Sequence, residues 1–285
     1  MKKCSFFLLL FCAIFATGLH AQQVVKDFVN KQQQQATRDK IIIVAPQTIL
    51  HTNANIASMP GFEKLDADQQ DTLIKKYTKV LDKINDDKVK QQLLNDLTYE
   101  LERLGLWVEI RSEKPDAVFP QEHVIDISVV EIQETQMSYV DTLREGNRIY
   151  PFQIPFSTLD FYLWFTLIEN PDKEFNNLFQ KRNQTEFIDF HEAKVENNGS
   201  LTLSYTLYPI SANEVYSMAH QTAVKMAHNI YRYLLNKYVL EASDGENTHC
   251  YTVNRKTLII EECEFPSKQL ENGKYNLLYI LSDTE

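Results

Sequence analysis

Two histidine patterns have spacings that bear on metal binding. Asp189 and His191 stand two residues apart on a predicted strand, so both side chains point to one side and could begin a metal site. The sequence places neither His51 nor His123 beside them, and we interpret the pair as a solvated strand face. We therefore predict no metal and no cofactor.

The second pattern is His220 and His228, which are eight residues apart on a predicted helix. Metal-binding histidine pairs on helices are one turn apart, whereas this spacing makes about two turns. We interpret both as histidines of the helix surface or core.

Three carboxylates, Glu261, Glu262 and Glu264, surround Cys263. Paired carboxylates can serve as general acid and general base. Charges at the edge of a hairpin also prevent strand-to-strand aggregation, and we prefer that interpretation.

Motifs of familiar enzymes are absent from the sequence. It contains no His-Glu-x-x-His, no Gly-x-Ser-x-Gly, no P-loop and no Gly-x-Gly-x-x-Gly, and it has only 7 glycines. Sites that bring backbone close to phosphates depend on glycine, so the composition argues against a nucleotide enzyme. We predict no catalytic residue and favour a protein without enzymatic activity.

Aromatic and polar side chains give the candidate binding residues. Four aromatic residues near and within one strand could line a carbohydrate or peptide groove, or could pack under a helix. The segment Thr48–Phe62 reads as a long loop, and loops of that length commonly bind or cover something. The candidate partner or ligand surface is Tyr150, Phe152, Tyr162, Trp164, His51 and Asn53.

The N-terminus resembles a secretory signal. Lys2 and Lys3 precede the apolar run Phe6–Ala16, and a small residue, Ala21, stands before a polar stretch. The run is shorter than the roughly 20 residues of a membrane-spanning helix. Large residues precede Cys12, which argues against a lipoprotein. We predict cleavage after Ala21, a secreted or periplasmic location and no later transmembrane segment.

Charge and cysteine usage fit export. The formal net charge is −10, and it becomes more negative when Lys2 and Lys3 leave with the signal. That charge argues against nucleic acid and anionic membranes as partners. After cleavage only Cys250 and Cys263 remain, on two short predicted strands of a hairpin where Cys250 would face Cys263, and an oxidising compartment would pair them. The alternative is two unpaired thiols.

The elements that would position these residues follow from periodicity. A buried strand, Lys40–Pro46, precedes the helical run Asp66–Ile110, whose last residues form a short strand. Asn85-Asp86-Asp87 interrupts the run and can cap a second helix, so either two helices form a hairpin or one helix bends. Gly105 stands where a left-handed terminating residue ends a helix.

The following extended runs are His123–Gln133 and Phe156–Glu169. The alternation of the first is imperfect, which predicts that both of its faces contact protein. The second alternates, so Tyr162 and Trp164 share a face.

The C-terminal half contains a hairpin, a long helix and a second hairpin. Asn197-Asn198-Gly199 provides turn residues between two alternating strands. Ser211 to Glu214 is a capping box that opens a helix to about Leu240. A short helical turn is predicted at Phe175–Phe179, and a last strand is predicted at Tyr275–Leu281.

These patterns predict an α+β fold. A mixed, largely antiparallel sheet carries a helical run over about 66–104 and a second helix over about 212–240, followed by a C-terminal β-hairpin. The predicted division is a signal peptide 1–21, a flexible or loosely helical leader 22–39, a core domain 40–240 and a C-terminal β extension 241–285.

This order of elements over Lys40–Leu240 resembles exported envelope proteins with a domain like that of the curli secretion channel protein or the N-terminal domain of TolB. The chain departs from them in a longer helical run and in the absence of their lipidation cysteine. The resemblance implies an accessory envelope role without catalysis. The similar features are Ile41–Val44 ending at Pro46, Leu97–Gly105 leading into Trp107–Ile110, and Pro115-Asp116-Ala117 before Val124–Ile132.

Three functions follow as hypotheses. The first is an exported, non-enzymatic envelope protein that binds or assembles with a protein partner. The second is a secreted hydrolase acting on a glycan or peptide through carboxylates near Thr48–Phe62. The third is a small-ligand carrier. The oligomeric state is open.

Overall fold

The structure is a computed structural model. It describes residues 22–170, 173–242, 250–263, 270–271, 274–275 and 277–281. The predicted signal peptide lies outside the described residues.

A six-stranded sheet is the centre of the fold. Its strands are β1 Lys40–Val44, β2 Ile49–Asn53, β3 Trp107–Arg111, β4 Glu122–Glu145, β5 Arg148–Asn170 and β6 Lys173–Thr185. The order is β3-β1-β4-β5-β6, and β2 also pairs with β4. β1 and β2 run parallel to their neighbours, whereas β4, β5 and β6 are antiparallel. The predicted α+β class with a mixed sheet is confirmed.

Helices cover one face of this sheet. They are α1 over 22–33, α2 Ala54–Ala57, α3 Ala67–Tyr77, α4 Asp86–Arg103 and α5 Ala212–Ala242. The apolar side chains of α4 and α5 form one core with alternate residues of β4 and β5, including Ile132, Phe161 and Phe165. Burial of this leucine-rich and aromatic surface is the main stabilising term.

The predicted helical run is divided into α3, a 3₁₀ turn at Leu81–Lys83 and α4. The Asn85 side chain accepts a hydrogen bond from the Lys88 N–H at 2.9 Å and so caps α4. α4 ends before Gly105, whose φ of +92° suits a residue without a β-carbon. The two-helix alternative is therefore the one that the structure has.

The segment that follows the predicted signal is helical. α1 places Val24 and Phe28 in the main core, and the Phe28 ring lies 5.5 Å from that of Tyr231 on α5. Of the flexible and loosely helical alternatives, the structure has the helical one, because an apolar face recurs at helical spacing.

A bulge explains the imperfect alternation of β4. The pairing with β5 shifts between Ile127 and Val129. The extra residue puts Ile127 and Val130 on the same buried face. At the start of β4 both faces are buried, as the sequence predicts, because Val124 and Ile125 lie in separate apolar clusters.

Three local predictions were wrong. Phe175–Phe179 is part of β6 and not a helical turn, because it pairs with β5. Thr48–Phe62 holds β2 and α2 and is not a single loop. Leu277–Ile280 is a 3₁₀ turn, where a strand was predicted.

Among the described residues, three short strand pairs lie outside the central sheet, and one of them joins Leu270–Glu271 with Lys274–Tyr275. β7 Phe187–Val195 pairs with β8 Leu201–Tyr208, as the turn residues predict. β9 Cys250–Val253 pairs with β10 Ile260–Cys263, and Cys250 lies directly opposite Cys263. The two cysteines form a disulfide with a Cα–Cα distance of 5.1 Å. The division into a core domain and a C-terminal extension stays a prediction.

The disulfide gives the first prediction. Replacing both Cys250 and Cys263 with serine should lower the free energy of unfolding by about 3 kcal/mol, because the short loop is no longer closed in the unfolded chain. Denaturant titration measures the change. Reducing agent should lower the free energy of unfolding of the native protein by the same amount. It should leave that of the double variant unchanged. An equal effect of reductant on both proteins would contradict the prediction.

The docking of α1 gives the second. Phe28→Ala should lower the free energy of unfolding by about 3–5 kcal/mol, because it removes a buried ring. Lys26→Ala, on the exposed side of α1, is the matched control and should change it little. Equal effects of the two variants would show that α1 does not depend on core packing.

Candidate functional site

The candidate site lies on the sheet face opposite the helices. Along β5, Leu159, Phe161 and Leu163 point into the core, so Asp160, Tyr162 and Trp164 point to the other face. The register places Tyr162 between Glu131 and Lys181, and Trp164 between Val129 and Phe179. We call Asp160, Tyr162, Trp164, Glu131 and Lys181 the aromatic patch.

Two stacked rings form the centre of this patch. The Tyr162 and Trp164 centroids are 5.2 Å apart and the ring planes differ by 28°. Both side chains are partly exposed. The Lys181 Nζ lies 5.1 Å from the Tyr162 centroid, within the range of a cation–π contact.

Polar groups surround the rings. Asp160 forms an ion pair with Lys181 at 3.1 Å and accepts a hydrogen bond from Asn183 Nδ2 at 2.9 Å. On the other side, the Thr52 hydroxyl donates to Glu131 at 2.5 Å. The patch is thus an apolar centre with a charged rim.

The β4 bulge positions the tryptophan. The Ser128 hydroxyl donates to the carbonyl of Trp164 at 3.1 Å. This bond fixes the backbone of β5 at the place where the ladder shifts. A bulge commonly re-aims side chains next to binding sites.

Tyr150 and Phe152 lie elsewhere, on the part of β5 that extends beyond the other strands. Phe152 is buried and stacks on Phe190 of β7, with centroids 5.7 Å apart and planes at 9°. It contributes to packing between two hairpins. The structure therefore brings Tyr162 and Trp164 together and separates them from Tyr150 and Phe152.

His51 and Asn53 lie on the helix side of the sheet. His51 Nε2 is 2.9 Å from the Asp86 carboxylate at the start of α4. Asn53 is buried and caps α2 by accepting from the N–H groups of Asn55 and Ile56. Both side chains connect β2 to helices on the face opposite the aromatic patch.

His220 and His228 each lie near a carboxylate of α4. His220 Nδ1 is 2.8 Å from Asp96. His228 is buried, 3.5 Å from Glu100, and its burial lowers its pKa. His191 stands in β7 at the shift between Phe190 and Glu192. Within the described ranges no group of three His, Cys, Asp or Glu side chains could hold a metal ion.

A buried charged cluster joins β4 and β5 to Asp39, the residue before β1. His123 Nδ1 lies 3.3 Å from Glu169, and its Nε2 lies 3.7 Å from Asp39. Lys31 of α1 contacts Asp39 at 2.7 Å, and Lys237 of α5 contacts Glu169 at 2.7 Å. We call these five residues the His123 cluster.

Electrostatics in this cluster favour charged forms. Burial alone would raise the pKa of Asp39 and of Glu169, but hydrogen bonds, first from His123, outweigh it and lower each pKa to about 2. Burial would lower the pKa of His123, and its two carboxylate partners raise it above 6.5. An imidazolium with a carboxylate at each nitrogen has no lone pair for a substrate, so we assign the cluster a structural role.

Sequence reasoning missed the His123 cluster. His123 was considered only as a third metal ligand, and Asp39 was placed in the leader. A usable signal was present, since charged residues at the ends of buried strands need partners.

No family model matches the chain and no curated protein matches it. A solved structure described as a neuraminyllactose-binding hemagglutinin homolog from Helicobacter pylori is similar at 12% identity and a TM-score of 0.30. The match covers 74% of this chain and 93% of that chain. From a likeness of this size we infer neither fold nor ligand, and the resemblance to curli secretion and TolB domains stays a prediction.

The cysteine pair forms a disulfide, which is typical of proteins in oxidising compartments. In the part of the chain that the structure describes, no helix is long and apolar enough to cross a membrane.

The His123 cluster gives the third prediction. Because the folded pKa of His123 is raised, its stabilising contribution is complete below about pH 6.5 and is lost as the pH rises through the folded value. His123→Gln should lower the free energy of unfolding at pH 6 by about 3 kcal/mol, because it leaves two buried carboxylates short of a cation. In the variant, the part of the fall in unfolding free energy that comes from His123 losing its proton as the pH rises should be absent.

Denaturant titrations at a series of pH values measure both effects. His220→Gln is the matched control, because His220 is also paired with a carboxylate but is exposed. A His123→Gln profile parallel to that of the native protein between pH 6 and pH 9 would refute the assignment.

Proposed function

We propose that the protein is an exported, non-enzymatic binding protein of the cell envelope, and that the aromatic patch contacts its protein partner. The observation that carries the proposal is the stacked, partly exposed pair Tyr162 and Trp164 on the sheet face away from the helices. Aromatic rings at such positions could be buried by another protein.

The composition of the patch supports a protein interface. Tyrosine and tryptophan dominate the binding energy of many interfaces, and their contacts lie inside a polar rim. Here the rim is supplied by the Asp160–Lys181 ion pair and by Glu131 with Thr52. Rim charges of both signs favour specificity of partner choice over simple apolar adhesion.

Export is supported by two independent features. The first is the basic, apolar and small-residue pattern that ends at Ala21. The second is the disulfide of Cys250 with Cys263. Thiols in reducing compartments are kept reduced, so a structural disulfide supports an oxidising one.

The hydrolase hypothesis has less support. It placed carboxylate chemistry near Thr48–Phe62, and polar side chains of that segment are engaged within the fold. His51 contacts Asp86, and Asn53 caps α2. Asn55 exchanges two hydrogen bonds with the backbone of Gln136. These residues act as connections between elements.

The fourth prediction tests the patch. Replacing both Tyr162 and Trp164 with serine should reduce recovery of the partner from a detergent extract of the envelope by at least about tenfold, because loss of two interface aromatics costs more than 1.4 kcal/mol. Immobilised protein and quantitative mass spectrometry measure it. Tyr99→Ser is the matched control, since Tyr99 is an exposed aromatic on α4.

Treatment of the extract separates partner classes. Protease digestion of the extract should abolish recovery of the partner, and periodate oxidation of glycans should leave that recovery unchanged. Recovery that survives protease and fails after periodate would overturn a protein partner in favour of a glycan. Equal recovery by the double-serine variant and by Tyr99→Ser would overturn the patch as the site.

A further inference from the structure

The β4–β5 hairpin projects beyond the rest of the sheet. β2 pairs with β4 only as far as Glu134, and β6 pairs with β5 only from Thr158. From Met137 to Glu145, β4 pairs with β5 alone. Among the described residues, both edges of this projecting arm are therefore unpaired.

The direction of the backbone groups on the β4 edge is given by Gln136. Its N–H donates to Asn55 Oδ1 at 2.6 Å, and its carbonyl accepts from Asn55 Nδ2 at 3.1 Å. Both groups thus point away from β5. Backbone direction alternates along an antiparallel strand, so Ser138, Val140 and Thr142 also present their N–H and C=O groups to this edge.

Thr142 supports this assignment. Its N–H donates to the carboxylate of Asp141 at 2.7 Å and so does not point at β5. Ser138 and Val140 have no such local acceptor among the described residues. Their N–H groups are open to an added strand.

The other edge of the arm is protected. Pro151 lies opposite Thr142, and Pro155 lies opposite Ser138. By the same alternation, the backbone groups of Pro151 and Pro155 face the outer edge of β5. Proline has no N–H, so neither residue offers a donor to an added strand there. Proline at such positions is a common device against unwanted strand pairing. β4 carries no proline between Met137 and Glu145.

The side chains of the arm are unusually apolar for a projection. Met137, Tyr139, Val140 and Ile149 are 49%, 46%, 60% and 57% exposed. A long open edge with exposed apolar residues is an aggregation hazard unless a specific partner covers it. One protected edge beside one unprotected edge indicates that the β4 edge is the one that is covered.

Charge favours a second copy of this chain as the partner. The whole chain has a formal net charge of −10. The arm instead balances Asp141 and Glu145 with Arg144 and Arg148. Two arms can therefore approach without net repulsion, and a two-fold contact covers both open edges at once.

We propose that the protein forms a dimer in which two β4 edges pair antiparallel about a two-fold axis at Val140. In this register Val140 lies opposite Val140 of the second copy and Ser138 opposite Thr142. Tyr139 then lies opposite Asp141, and Met137 opposite Leu143. A shift that centres the axis on Asp141 would place two carboxylates directly opposite, which is destabilising.

Paired proline substitutions test the edge. Val140→Pro removes the central N–H, and loss of two symmetric hydrogen bonds should raise the dimer dissociation constant roughly tenfold or more. Gln153→Pro is the matched control, because Gln153 pairs with Val140 and its N–H faces the opposite edge of the arm. Sedimentation velocity over a concentration series measures the dissociation constant, and circular dichroism verifies folding.

Oxidative cross-linking tests the register without proline. The described cysteines are already joined to each other, so Val140→Cys introduces one accessible thiol. It should form disulfide-linked dimers, whereas Gln153→Cys should not. A native protein that is monomeric throughout the series would overturn the dimer. Cross-linking by Gln153→Cys but not Val140→Cys would overturn the choice of edge.

Discussion

The pairing of β4 with β5 is the constraint on which the rest of the molecule depends. One antiparallel register runs from Val124 opposite Ile168 to Glu145 opposite Arg148, with one bulge. Within the sheet it separates an apolar face from a partly exposed face. Beyond the sheet the same two strands continue as an arm. The helix-covered core, the aromatic patch and the proposed dimer edge are three consequences of a single ladder.

The bulge at Ser128 matters because side-chain direction has a period of two. Without an extra residue, a strand as long as β4 would bring Ile127 and Val130 to opposite faces. With it, both are buried, and the ladder also shifts beside Trp164. A packing requirement and the geometry of the candidate site therefore share one irregularity.

The His123 cluster closes the fold at the end of the sheet away from the arm. It joins α1, the residue before β1, two strands and α5 through charges removed from water. Such a cluster adds little stability over an apolar one, but its members depend on one another strongly. The ion pair of Lys31 with Asp39 thus adds to the apolar contacts, such as that of Phe28, that hold α1 in place.

Periodicity and composition were sufficient for several features. The fold class, the cap at Asn85, the helix end at Gly105 and the opposition of Cys250 and Cys263 depend on local spacing, and the structure has them. Local spacing also showed that Tyr162 and Trp164 share a face. These features involve neighbours in sequence or across a tight turn, where few arrangements are allowed.

Only the tertiary structure decided which candidate site residues lie next to one another. It separated Phe152 from Trp164, because the strand is longer than the sheet that it joins, and it put His51 and Asn53 on the face opposite the aromatic patch. It also assembled Asp39, His123 and Glu169, which are far apart in sequence. Contacts of this kind depend on strand order and register, and neither is encoded in the spacing of residues within one segment.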